Sequence, residues 1–125
     1  LANISTRGVA SSAADVLIGG FILGGANGNA KVLVRAIGPS LAKAGVSNAL
    51  SDPTVELRDG NGEVLLANDN WQDQQQTAIE QTGIPPNDFS ESAILTDLPP
   101  GAYTAVVAGK NGVSGTALIE VYNLR

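Results

Sequence analysis

Val55-Glu56-Leu57-Arg58-Asp59-Gly60-Asn61-Gly62-Glu63-Val64-Leu65-Leu66 carries the clearest fold signal in the chain. Apolar and charged residues alternate from Val55 to Arg58, the two-residue period of a half-buried strand. Asp59-Gly60-Asn61-Gly62 then supplies residues that tolerate positive φ, the signature of a tight hairpin turn. The run after Glu63 returns as a second strand, with Val64 and Leu66 on one side and Leu65 on the other.

Reading outward, the same grammar recurs. Residues 1–6 read as a short strand and 8–15 as a loop. Residues 16–23 are apolar on both faces, which predicts a central strand, with Gly19 and Gly20 marking a bulge or a close approach. Asn27-Gly28 reads as a hairpin tip leading into strand 31–37. There Val32, Val34 and Ala36 share one face, and Leu33, Arg35 and Ile37 share the other. Ser40 is placed to cap a short helix that Gly45 stops. Residues 72–82 have helical character, with Ala78 and Ile79 as the apolar face and Gly83 as terminator. Strands follow at 92–98, 102–108 and 114–122, separated by Pro99-Pro100-Gly101 and Lys110-Asn111-Gly112. In the last strand Ala117, Ile119 and Val121 face one way, and Glu120 is expected at an exposed end. About eight short strands and one or two short helices predict an all-β fold. The expected architecture is a two-sheet antiparallel sandwich, jelly-roll-like, forming one domain over residues 1–125.

Composition narrows the chemistry. The 125 residues include no Cys, His or Met, and 12 acidic against 7 basic side chains give a formal net charge of −5. Thiolate and imidazole catalysis and Cys- or His-based metal sites are therefore absent. An acidic balance argues against a nucleic-acid partner. No apolar run reaches the ~20 residues of a membrane span. No carboxylate pair sits in a recognisable glycosidase pattern, so the chain reads as non-catalytic.

Two clusters could still hold a ligand. Asn68, Asp69, Asn70 and Asp73 concentrate oxygen donors suited to calcium, with Asp52, Asp59 and Glu91 as distant contributors; the alternative is a set of self-capping turn residues. Trp71 can serve as a stacking platform for a sugar, flanked by Asn70, Gln72 and Gln74, or it can pack over an end of the sandwich with its indole N–H bonded. Arg35 is expected to pair with Glu56 or Glu120.

Several segments resemble a known group. Val55-x-Leu57-x-Asp59-x-x-Gly62 with Asn68-Asp69-Asn70, and Leu98-x-Pro100-Gly101-Ala102-Tyr103-Thr104, are similar to bacterial pre-peptidase C-terminal-type modules. Asn3-Ile4-Ser5-Thr6-Arg7-Gly8, Arg35-Ala36-Ile37-Gly38-Pro39-Ser40-Leu41 and Glu91-Ser92-Ala93-Ile94-Leu95 resemble a module at the ends of large secreted bacterial proteins. The resemblance implies a secreted or cell-surface location and an accessory role toward the domains of a parent polypeptide. In part of the wider group it also implies polysaccharide or calcium as partner.

Overall fold

The computed structural model describes residues 3–10, 16–24 and 28–124. Eight strands are present: β1 (Asn3–Ala10), β2 (Leu17–Leu23), β3 (Ala30–Ile37), β4 (Pro53–Arg58), β5 (Val64–Asn68), β6 (Ser92–Leu98), β7 (Gly101–Gly109) and β8 (Gly115–Asn123). Two short helices are α1 (Pro39–Lys43) and α2 (Gln76–Gln81). The strands form two four-stranded sheets, in the orders β1-β8-β3-β6 and β2-β7-β4-β5, with every ladder antiparallel. Strand 1 pairs with 8, 2 with 7, 3 with 6 and 4 with 5, so the chain is one long hairpin rolled into a jelly roll.

The hairpin that opened the sequence reading lies at the centre of this nest. Asp59 Oδ1 accepts the backbone N–H groups of Asn61 and Glu63 at 2.9 and 3.0 Å, and Gly62 takes φ +83°. The expected hairpin at Asn27-Gly28 does not form. The strands on either side of it, β2 and β3, belong to different sheets, and Asn27 itself lies outside the described residues.

Alternation decides what is buried. Val32, Val34, Val55, Leu57, Val107 and Ile119 meet between the sheets, joined by Phe21 stacked on Tyr103. A second, smaller core lies on the outer face of the β3–β6 half. Leu33, Ala93 and Leu95 pack there beneath Trp71 and Ile79, carried by a 3₁₀ turn at Trp71–Asp73 and by α2. Within 72–82 the helix is short, as its thin apolar face implied, but only Ile79 of that face is buried, and Ala78 points to solvent.

Two strand readings change places. Residues 16–23, apolar on both faces, form an edge strand rather than a central one, and their ladder to β7 runs without a bulge from Leu17 to Leu23. β3 and its neighbour β6 are the strands buried on both faces. Glu120 is likewise not at a strand end; it sits mid-strand opposite Arg35.

Glycine is required where main chains meet. A Cβ on Gly38 would stand 2.1 Å from Leu50 O, one on Gly109 1.8 Å from Val113 O, and one on Gly115 2.7 Å from Leu50 Cα. Leu50, fully buried, threads between Gly38 and Gly115, and its N–H is held by Thr116 O at 2.8 Å.

Candidate functional site

The densest polar constellation lies where β5 hands the chain to the loop over the outer face of the first sheet. Asn68 is buried there. Its amide nitrogen donates to Asn70 O at 3.1 Å and Gln74 Oε1 at 3.2 Å, and its Oδ1 accepts the N–H of Ala93 at 3.0 Å. Two residues farther along β6, Gln75 accepts from Leu95 N at 3.0 Å and donates to Leu95 O at 2.8 Å. β6 is an edge strand, and an uncovered edge offers unpaired donors and acceptors to any passing strand. Asn68 and Gln75 occupy those groups. The amide-rich segment is thus an edge cover for β6.

This geometry disperses the expected calcium ligands. Asn68 Oδ1 is committed to Ala93. Asp69 forms an ion pair with Lys110, and Asn70 donates to Asp73 Oδ2 at 3.3 Å. Among the described residues, no three acidic side chains converge as a metal would need. Glu91, expected as a distant contributor, is wholly buried elsewhere. Its carboxylate accepts from Gly38 N (3.0 Å), Ser40 N (2.8 Å), Ser40 Oγ (2.8 Å) and Asp88 N (3.2 Å). The cap of α1 is therefore Glu91, supplied from across the molecule, and not Ser40, whose side chain makes no capping bond to its own helix.

Trp71 is 5% exposed, and its indole N–H donates to Asp88 O at 3.2 Å. A sugar platform needs an open ring face, and this ring lies against the second core. Of the residues expected to flank it, Gln72 and Gln74 are exposed, while Asn70 is turned toward Asp73.

Two further charged groupings are built into the sheets. Arg35 Nε donates to Glu120 Oε1 at 2.9 Å, its Nη2 also reaches that oxygen, and its Nη1 donates to Ile84 O and Pro85 O at 3.1 and 3.3 Å. The guanidinium lies 5.2 Å from the Tyr122 ring centre. Burial pushes the Tyr122 phenol up, against the pull of Arg35. Of the two expected partners Arg35 takes Glu120; Glu56 pairs with Arg58 on the other sheet.

At one end of the sandwich Asp52 and Asp69 are neighbours, each with a buried Oδ1 that receives no hydrogen bond. Desolvation, then the Asp69 charge, raises the Asp52 carboxyl above its ordinary value. The hydrogen bond to Asp69 raises the Lys110 ammonium. Sequence reasoning passed over Gln75 and the capping role of Glu91, because each acts on a backbone group far away in the chain, and Asp88, because it receives the Trp71 indole through its backbone carbonyl, which any residue type supplies.

No protein-family profile matches the chain, and no curated protein matches it in sequence. Among solved structures it is similar to the pre-peptidase C-terminal domain of a collagenase from Bacillus anthracis. That match has 11% sequence identity and a TM-score of 0.58, and it covers 96% of this chain and 89% of that one. The match spans nearly the whole chain despite little shared sequence, and the chain has the fold of a pre-peptidase C-terminal domain.

Proposed function

We propose that the chain is a non-catalytic accessory module of a secreted or cell-surface bacterial protein, acting by making contacts with other folded domains. The observation that carries this reading is the use made of the interior polar groups. Glu91, Arg35, Asn68 and Gln75 are each bonded to backbone or to a fixed ion pair, so each holds a loop or a strand edge in place. Catalytic groups, by contrast, converge on an open cleft. The fold shared with a domain of a collagenase supports the accessory role.

The test is deletion of residues 1–125 from the gene product that carries them. The remaining domains should keep their turnover number and lose melting temperature or exported yield. Turnover of ester, glycoside or peptide substrates by the 125-residue chain alone would refute the reading.

A further inference from the structure

We infer that the uncovered face of the β2-β7-β4-β5 sheet is the contact surface of a two-fold dimer of this chain. The inference rests on the contact-making role proposed above and names the partner as a second copy.

The two sheets are treated differently by their own chain. Part of the outer face of the first is roofed by Trp71, Ile79 and Ile84. Over the second, Ile18 is 56% exposed and Ile22 81% exposed. These two residues gave β2 the apolar pattern of a strand buried on both faces. A shallow groove of about 310 Å³ runs beside Ile18, along Thr54, Glu56, Arg58, Val106 and Ala108.

The chemistry of this face selects the occupant. Among its described residues no aromatic ring projects from it, so it offers a polysaccharide nothing to stack on. Its charges are one Glu56–Arg58 ion pair (Arg58 Nη2 to Glu56 Oε1, 2.6 Å), so phosphate groups find no net attraction. A neutral apolar field around one central pair of opposite charges is self-complementary.

The register shows how two copies would fit. Ile18, Val106, Glu56 and Ala67 form one row across the face; Gly20, Thr104, Arg58 and Val64 form a second, two residues along β2, β7 and β4 and three along β5, where a bulge adds a residue. A two-fold axis lying in the interface, perpendicular to β4 and level with Leu57, stacks the first row on the second. Glu56 then faces the partner's Arg58. Ile18 lies over the partner's Gly20, where a Cβ would meet only Tyr103 O at 3.8 Å, so that position is a hollow. By the same operation, which keeps each strand over its own copy, Ile22 falls against the partner's Val16, at the side of the groove. An isologous interface requires this reciprocity. Stacked sheets cross at about 30°, which preserves the match near the axis and loosens it at the rim.

From strand spacing and rise, the face measures roughly 19 by 20 Å. At roughly 380 Å² per copy that footprint falls below the range of stable interfaces, so the association is a weak one, with dissociation on the order of 100 μM. Sedimentation equilibrium of the 125-residue chain from about 5 to about 500 μM should show a monomer–dimer equilibrium. E56R and R58E should each weaken it at least about tenfold, as like charges then face each other. Mixing the two variants should restore dimers as heterodimers, and the double variant E56R/R58E should restore the homodimer. Ile22→Lys is an independent arm that alters neither charge of the pair, and circular dichroism verifies that each variant is folded. A chain that stays monomeric at the highest concentration overturns the inference, as does a dimer indifferent to the single variants or not rescued by the swap. A monomer leaves the accessory reading standing; turnover in the substrate assay removes that reading and leaves the measured dimer.

Discussion

Glu91 shows how much one side chain can hold. Four donors from Gly38, Ser40 and Asp88 converge on its carboxylate at zero exposure. Glu91→Ala leaves buried N–H groups without acceptors, each costing about 1–3 kcal/mol. Urea denaturation should therefore register a loss of about 3 kcal/mol or more. Glu91→Gln keeps the shape but turns a donor toward donors, and should lose about half as much. Asp52 works the other way. Its carboxyl is raised in the folded state, so the native protein binds more protons than the unfolded chain, and stability falls as pH rises through the carboxylate range. Asp52→Asn removes the repulsion and offers Asp69 a donor. Thermal melts should place the variant about 1–3 °C above the parent at pH 7, with the gap closing toward pH 3.8, the ordinary Asp value. The sequence did not reveal the capping role of Glu91, because its partners lie about fifty residues away and no local spacing encodes them.

At the scale of elements, most strands were legible because alternation and turn chemistry are local. β4 and the turn after it came out as read, and so did the inward set Ala117, Ile119 and Val121; in β5 a bulge opposite Leu57 and Arg58 puts Val64 and Leu66 on opposite faces, where simple alternation had put them on one. β2 was misplaced for a physical reason: two-sided apolarity says that both faces avoid water, not which molecule covers them. For the amide-rich segment after β5 a ligand cluster and a set of turn residues were both open readings, because edge-capping amides and calcium ligands use the same residue types. Trp71 anchors that segment. Trp71→Ala should cost about 3–5 kcal/mol. It should also speed hydrogen exchange at Ala93 and Leu95, the two β6 positions the segment covers. Glycine positions sort by the same reasoning. Gly109→Ala drives a methyl into Val113 O and should cost about 3 kcal/mol or more. Gly45→Ala, at φ +101° in open space, should cost only the left-handed backbone penalty of about 1–2 kcal/mol. Equilibrium denaturation of the two variants side by side tests the ranking.

Across the whole molecule, the sandwich was expected from the many short strands and the lack of long helices, yet the strand order was not. Which strands pair is fixed by contacts between distant segments, and periodicity carries no information about them. The order also makes β8 indispensable, since it lies between β1 and β3. A chain ending at Gly112 should show no cooperative thermal transition, because the ladders on both sides of β8 and the Ala117–Ile119–Val121 row go together. The nested pairing also sets a timetable. Asn3 stands opposite Tyr122, so β1 has no neighbour until β8, the last strand of the roll, is available. Such far-apart pairing is slow to establish. The roll therefore closes as a unit once β8 is in place, with the start of β1 and the end of β8 side by side.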